Sequence, residues 1–192
     1  MNTTDTTNPD NPTESTTSGS GDVIDPRPDD VLTTVAVDLV VENPDNVRRH
    51  LGDLADLTRS VRNTGIIVPL LVLPADDAGQ HVLVAGHRRL AAARAAGLDT
   101  VPVIVRALSD VEVLDAMLTE NQHRNGLTLA EEIAAVARYQ VVAPTESATK
   151  IGKRIGHSVR WVKDRFAVAA LPADVIDRLD DDLSLAQAVA LG

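Results

Sequence analysis

The segment with the clearest chemical capacity is Val82–Arg94, VLVAGHRRLAAAR, in which an apolar strand runs into a glycine and then a helix rich in Ala and Arg. Free backbone N–H groups and the positive end of the helix dipole make a helix N-terminus a natural anion site. Arg88 and Arg89 would oppose that dipole unless an anion lies above them. Gly86, His87 and the two arginines therefore predict a phosphate site, although a solvent-exposed basic turn is the simpler alternative on spacing alone.

A second candidate is the cluster ENQHR at residues 120–124, which ends one predicted helix and precedes the next. Carboxylate and amide oxygens are suitable Mg²⁺ ligands, and a guanidinium pairs with phosphate. Glu120, Asn121 and Arg124 are therefore candidate ligands of a metal–phosphate complex. Ordinary helix capping and surface pairing would produce the same cluster.

A third candidate is the helix–turn–helix pattern at about residues 147–170, where Gly156 and His157 form the turn and Ser158 caps the second helix. Residues 145–166 hold six basic and two acidic side chains, a net charge of +4. We expect Arg160, Lys163 and Arg165 on the outward face of the second helix, where a recognition helix meets the major groove. The candidate DNA-binding residues are Lys150, Lys153, Ser158, Val159, Arg160, Lys163 and Arg165. A solvated basic face is the alternative, and Trp161 is expected to pack rather than to stack on bases.

Composition restricts the function classes. Of 192 residues, 44% are hydrophobic but only 2% are aromatic, so the core must be built from Ala, Val, Leu and Ile. Few rings remain for stacking single-stranded nucleic acid. The absence of cysteine excludes disulfides, thiolate zinc sites and cysteine nucleophiles. No signal peptide or membrane-spanning apolar stretch is evident, so a soluble cytoplasmic protein is expected.

The formal net charge of −10 is unevenly distributed. Residues 1–46 hold ten acidic side chains and one basic, whereas the rest of the chain is nearly neutral. The only concentrated positive field therefore lies on the helix–turn–helix segment, which keeps DNA binding open despite the acidic total. Residues 1–32 have little to bury and are predicted to be a disordered tail, serving solubility or docking a partner.

The hydrophobic pattern predicts an α+β chain. Strands are expected at residues 33–41, 66–73, 81–85 and 101–105, and helices at 51–63 and 87–96. Pro102 suits an edge strand or a strand start. Further helices are expected at residues 110–121, 128–142, 147–155, 158–170, 173–179 and 184–191. These elements predict a small α/β domain at residues 33–108 and an all-helical domain at 109–192.

The three segments, in this order, resemble the ParB family of chromosome and plasmid partition proteins over about residues 35–191. Residues 63–72 (NTGIIVPLLV) resemble the family's first nucleotide motif, and residues 86–92 (GHRRLAA) its Gly-Glu-Arg-Arg box. Residues 120–124 resemble its Glu-Asn-x-x-Arg motif, and residues 151–172 its helix-turn-helix. Each motif is weak alone, but the ordered set is specific.

The resemblance implies a ParB/sulfiredoxin-like α/β domain that binds CTP and Mg²⁺ and forms a CTP-dependent clamp on DNA. Position by position, Gly86, His87, Arg88 and Arg89 would hold the nucleotide, Glu120 and Asn121 the metal and Arg124 a phosphate, while Gly65 allows close backbone approach. It also implies weak CTP hydrolysis to CDP and phosphate, with Glu120 as the candidate catalytic residue.

The resemblance further implies a set of partners: double-stranded DNA with a centromere-like site, a second copy engaged through its N-terminal domain, and a ParA-type ATPase. No membrane partner is expected, and the location would be the nucleoid or a plasmid. The sequence ends at Gly192 without a counterpart of the family's C-terminal dimerisation region. We therefore expect either a truncated chain or a shorter relative.

The sequence departs from the family pattern at three positions. His87 stands where the box usually has Glu, Ala91 where a further Arg is common, and Val68 where Gln usually precedes Pro69. Two alternatives follow. The chain is a helix-turn-helix regulator or nucleoid factor that no longer needs nucleotide, or it is an enzyme on the same fold. A sulfiredoxin-like reductase is excluded because its chemistry needs a thiolate, and a kinase would leave the basic helical half without a purpose.

Overall fold

The computed structural model describes residues 27–44, 46, 51–122, 127–179 and 182–191. Most of the predicted acidic tail, residues 1–26, lies outside the described residues. Residues 27–32, which the sequence assigned to the same tail, belong to the folded part: Asp30 is paired with Arg106, and the first strand begins at Val31. Arg106 is 76 residues from Asp30 in sequence, so no local sequence pattern predicts this pair.

A five-stranded mixed sheet forms the first half of the chain, in the order β1-β5-β3-β4-β2. Its strands are β1 Val31–Ala36, β2 Val40–Glu42, β3 Leu70–Val72, β4 His81–Ala85 and β5 Thr100–Val105. The β1/β5 and β3/β4 pairs are antiparallel, whereas β2/β4 and β3/β5 are parallel.

Three expectations about the strands were wrong. The strand expected at residues 66–73 is shorter and spans only Leu70–Val72. The single strand expected at residues 33–41 is two strands, because a 3-10 turn at Val37–Leu39 carries the chain from β1 at one edge of the sheet to β2 at the other. Strand β5, with Pro102 as its third residue, lies between β1 and β3 rather than at an edge. The alternation of β-branched residues continues through the turn at Val37–Leu39, so the sequence pattern alone does not show that β1 ends and β2 begins there.

One face of the sheet is covered by α1 (Ala55–Thr64) and α2 (His87–Ala96). This core consists of aliphatic side chains, among them Val40, Leu70, Leu83 and Leu90, each fully buried. Both helices end at a glycine: Gly65 at φ 71° and Gly97 at φ 75°. Gly97 is a left-handed cap that closes the last turn of α2, whereas Gly65 combines its positive φ with an extended ψ of −168°. Glycine adopts both conformations without steric cost.

The other face of the sheet is covered by α3 (Asp110–Gln122). Its Val113 and Met117 pack against the sheet, whereas Leu114 and Leu118 pack into the core of the helical half. Helix α3 is therefore shared by both halves of the chain.

The helical half continues with α4 (Leu129–Val142), α5 (Ala148–Ile155), α6 (Val159–Ala169), α7 (Ala173–Ile176) and α8 (Leu185–Val189). Four of these helices have a hydroxyl side chain at the N-cap that accepts a backbone hydrogen bond: Thr128, Ser147, Ser158 and Ser184. Such caps each stabilise a helix by about 1 kcal/mol. None of the helices in the described ranges is both long and apolar enough to cross a bilayer.

Candidate functional site

The junction between β4 and α2 is a tight turn that leads directly into a helix N-terminus. Gly86 is left-handed at φ 101°, and a Cβ built there would lie 2.7 Å from Cδ2 of Leu70. Only glycine fits this turn. Helix α2 then begins at His87 with no acidic side chain in its first turn and no side-chain cap. Its first backbone N–H groups have no intrahelical acceptor, and they form the positive end of the helix dipole.

Arg88 holds the chain that precedes α1. Its Nη1 donates to the carbonyl oxygen of Leu51, and its Nη2 donates to that of Asp53 at 2.8 Å. Gly52 lies between these two acceptors at φ 64°, and a Cβ there would approach Nη1 of Arg88 to 3.2 Å. The glycine thus leaves room for the guanidinium.

Arg89 holds the chain that follows α1. The side chain is buried, and its Nη1 donates to the carbonyl oxygens of Val68 and Pro69, both at 2.6 Å. These carbonyls belong to the loop that begins at Gly65. The structure therefore brings this loop next to the Gly86–Arg89 turn, although the two segments are about twenty residues apart in sequence.

The remaining nucleotide-site candidates are placed less fully. His87 is buried at the first position of α2. Glu120 and Asn121 lie in the last turn of α3, but their side chains are outside the described structure, and so is the whole of Arg124. The metal site predicted at Glu120 and Asn121 and the phosphate contact predicted for Arg124 stay predictions.

The second candidate surface is the start of α6 with the adjacent face of α5. The Ser158 hydroxyl caps α6 by accepting from the backbone N–H of Trp161 at 3.1 Å. Arg160 is 90% exposed and only loosely paired with Asp164 at 3.6 Å. The other exposed candidates are Lys150, Lys153, Val159 and Lys163. Lys150 also forms an ion pair with Glu146 at 2.7 Å.

The expectation that Arg165 lies on the outward face was wrong. Arg165 is 6% exposed, because it follows Val162 by one turn on the side of α6 that faces α4. Its Nε donates to Oε2 of Glu132 on α4 at 2.9 Å, and its guanidinium carbon lies 3.7 Å from the centre of the Trp161 ring. Trp161 is a packing residue, as predicted: its ring also stacks on His157.

The sequence did not predict a polar cluster that lies between α3, α4 and α5. Arg154 of α5 lies 2.8 Å from Asp115 of α3 and 2.5 Å from Glu146, and the Tyr139 hydroxyl donates to Asp115 at 2.6 Å. Burial, together with the adjacent Asp115 carboxylate, raises the pKa of Tyr139 well above its usual range. Arg154 was counted as part of a free basic field, but it serves to join α5 to α3. The i to i+4 spacing of Glu146 and Lys150 was a signal only for a surface pair, and Arg154 lies eight residues from Glu146.

Residues 23–122 match the ParB N-terminal domain family. The chromosome-partitioning protein ParB of Caulobacter vibrioides is 39% identical over 144 residues, which are 72% of this chain and 46% of that protein. The chain thus spans about half the length of this curated relative.

Two solved structures of C-terminally truncated ParB from Caulobacter crescentus are also similar. The one complexed to the centromeric parS site is 32% identical, covers 83% of this chain and 83% of its own, and has a TM-score of 0.57. The one complexed with CTP-gamma-S is 34% identical, covers 84% and 91%, and has a TM-score of 0.46. The mixed α/β half has the fold of the ParB chain in the parS complex. The chain belongs to the ParB N-terminal domain family.

Proposed function

We propose that this chain is a chromosome- or plasmid-partition protein that binds a specific double-stranded DNA site and responds to CTP. Two lines of support meet in this proposal: membership of the family, and a ParB relative of similar fold that is complexed to a centromeric site. Self-association of the N-terminal domains into a clamp on DNA, and docking of a ParA-type ATPase, follow from the family resemblance.

The observation that carries DNA binding is the exposed N-terminal end of α6. Ser158, Val159, Arg160 and Lys163 face solvent there, on a helix that follows α5 through a tight turn at Gly156, φ 73°. An N-terminal turn of this kind presents side chains to base edges, while nearby lysines reach phosphates. Lys153 and Lys150 on α5 supply such lysines. Arg165 has no part in this surface, since it is buried.

The chain also offers a place for a nucleotide. Gly86 permits a tight turn that any side chain would strain, because a Cβ there would meet Leu70, and Arg88 and Arg89 follow it in the first turn of α2. Both guanidinium groups donate to neutral carbonyl oxygens. A phosphate oxygen makes a stronger, charge-assisted hydrogen bond, so a triphosphate is able to compete for them. Bound CTP with Mg²⁺ would supply the reactive phosphoanhydride; Glu120 and Asn121 would hold the metal, and hydrolysis would be slow.

Calorimetry of the purified chain with CTP, ATP, GTP and UTP in Mg²⁺ tests the nucleotide half of the proposal. We expect binding of CTP alone, and loss of that binding in Arg88→Gln. Arg59→Gln is the matched control, because it removes the same charge from an exposed side chain on the adjacent helix. Binding of all four nucleotides, or equal CTP binding by the parent and Arg88→Gln, would contradict it.

The second candidate function is a nucleotide-independent helix-turn-helix regulator or nucleoid factor. The specific observation in its favour is that Arg88 and Arg89 already bind carbonyl oxygens on both sides of α1. His87, Val68 and Ala91 also depart from the family pattern. DNA binding that is unchanged by any nucleotide, in a chain that gives no calorimetric heat with CTP, would select this function.

A further inference from the structure

The indole of Trp161 is held between two planar side chains. The His157 ring is parallel to it within 4°, with ring centres 3.6 Å apart. The Arg165 guanidinium carbon lies 3.7 Å from the centre of the same indole. Two planar groups at these distances cannot share one face of a ring, so His157 and Arg165 lie on opposite faces. This three-layer arrangement, His157, Trp161 and Arg165, is called the indole stack below.

The indole stack is anchored to α4. Arg165 donates through Nε and Nη2 to Oε2 of Glu132, and through Nη1 to the carbonyl oxygen of Trp161 at 3.2 Å. A guanidinium is a rigid plane with donors in fixed directions. When one edge of that plane is fixed by Glu132 and one face by the indole, α6 has little freedom to rotate about its own axis relative to α4.

The stack is also anchored to the turn between α5 and α6. His157 belongs to that turn, and its carbonyl oxygen lies so close to α5 that a Cβ on Gly152 would meet it at 2.6 Å. The turn therefore cannot shift towards α5. Glu132 thus anchors the stack to α4, and the close approach of Gly152 fixes the turn that carries its His157 layer.

The exposed candidates for DNA contact lie on the other side of the same helix. Trp161 and Arg165 face the protein, whereas Val159, Arg160 and Lys163 face solvent. Successive residues of an α-helix are about 100° apart around its axis. A rotation of α6 by a fraction of that angle would displace all of these side chains relative to the base edges. Base contacts need hydrogen-bond geometry within a few tenths of an ångström, whereas a flexible lysine still reaches a phosphate after such a rotation.

We propose that Glu132 is a specificity-determining positioning residue, which acts through Arg165 and the indole stack to fix the rotation of α6 against the DNA major groove. This inference rests on the proposed DNA-binding function. It assigns Glu132 no contact with DNA. Loss of this anchor is expected to reduce the sequence specificity of DNA binding and to leave the nonspecific affinity for DNA unchanged.

The experiment is selection from a randomised duplex DNA library by the parent chain and its variants, followed by sequencing of the bound duplexes. Glu132→Gln removes the anchor, and Trp161→Leu removes the middle layer without adding or removing charge. Trp161→Phe keeps an aromatic plane between His157 and Arg165. Asp182→Asn is the charge-matched control for Glu132→Gln, because it removes a carboxylate from an exposed pair with Arg178 in the same half. Thermal unfolding and salt-dependent binding to unselected duplex are measured alongside.

We expect Glu132→Gln and Trp161→Leu to select a degenerate or altered motif, while Trp161→Phe and Asp182→Asn select the motif of the parent. Binding to unselected duplex should stay within about threefold of the parent in all four variants. The inference is overturned if Glu132→Gln or Trp161→Leu, still folded at the selection temperature, selects the parent motif. If one of the two has melted, the other decides. A parent that binds duplex without selecting any motif would overturn the proposed sequence-specific function itself, and with it this inference.

Discussion

Arg88 and Arg89 are adjacent on α2, yet their guanidinium groups bind main-chain carbonyls on opposite sides of α1. Arg88 donates to Leu51 and Asp53 before the helix, and Arg89 to Val68 and Pro69 after it. The same two residues that the family resemblance assigns to a triphosphate thus also hold a helix in place. The nucleotide binding proposed above would therefore compete with the anchoring of α1 for the same donors.

Arg89→Ala should destabilise the fold as well as abolish nucleotide binding. The variant loses two hydrogen bonds from a charged donor and leaves two carbonyls without that partner, which should lower the free energy of unfolding by about 2 kcal/mol or more. Denaturant unfolding measures the change, with Arg59→Ala as the exposed control expected within about 0.5 kcal/mol of the parent. A variant as stable as the parent would show that these carbonyl contacts contribute nothing.

Gly86→Ala should be more destabilising than Gly79→Ala. Both glycines are left-handed, at φ 101° and φ 78°, so both substitutions incur a backbone penalty of about 1–2 kcal/mol. Only at Gly86 would the new methyl group also meet Leu70, which adds about 1–3 kcal/mol of overpacking. Thermal unfolding of the two variants isolates the clash. Equal shifts in Tm would mean that Leu70 moves aside freely.

Arg160→Ala and Lys163→Ala should weaken specific DNA binding, whereas Arg178→Ala should not. A residue that reads a base edge is expected to be worth about 1–3 kcal/mol of specific binding. One that contacts a phosphate instead lowers the slope of log K against log salt by about 0.9. A salt titration by fluorescence anisotropy separates the two roles. Arg178 is the control, because it is equally a surface arginine of the helical half but pairs with Asp182 away from α6.

Stability should depend on pH through the buried pair of Asp30 and Arg106. The hydrogen-bonded Arg106 guanidinium lowers the pKa of Asp30 from 3.8 to about 2. A carboxylate whose pKa is lower in the folded state stabilises the fold above its unfolded pKa and loses this contribution as the pH falls. Asp30→Asn should therefore be less stable than the parent by about 2 kcal/mol at neutral pH.

The difference between the Asp30→Asn variant and the parent should shrink as the pH falls from about 4 towards 2, as followed by denaturant unfolding across that range. Asp56→Asn is the matched control. Its carboxylate is 94% exposed in a pair with Arg59, and such a pair contributes about 0–1 kcal/mol. A constant difference between Asp30→Asn and the parent across this pH range would contradict the assignment.

Local patterns predicted the elements that surround the candidate sites. The sequence placed β4 and α2 with the same bounds as the structure, because the apolar run of His81–Ala85 stops at a glycine and the next glycine is Gly97. It also placed α5, the turn and α6 within a residue or so at each end, because serine caps and Gly156 mark their limits. These signals are local in origin: capping, steric freedom at glycine and the period of the apolar residues.

Long-range partners could not be predicted. Arg165 and Arg154 looked like members of one basic surface, since their neighbours in sequence are basic. Their carboxylate partners, Glu132 and Asp115, come from other helices, 33 and 39 residues earlier in the chain. The sequence reports the charge of a side chain but not which face of its helix packs, when polar and apolar residues share that face.

The position of α3 between the two hydrophobic cores has a mechanical consequence for the whole described structure. The successive pairs Val113–Leu114 and Met117–Leu118 of α3 divide between two interiors, one against the sheet and one among the helices. Packed interiors tolerate little sliding, so a displacement of α3 would strain both at once, and the two interiors should respond as one cooperative body. Severing the chain ahead of α3 would leave the sheet with one bare face and would expose Val113 and Met117 on the helical half.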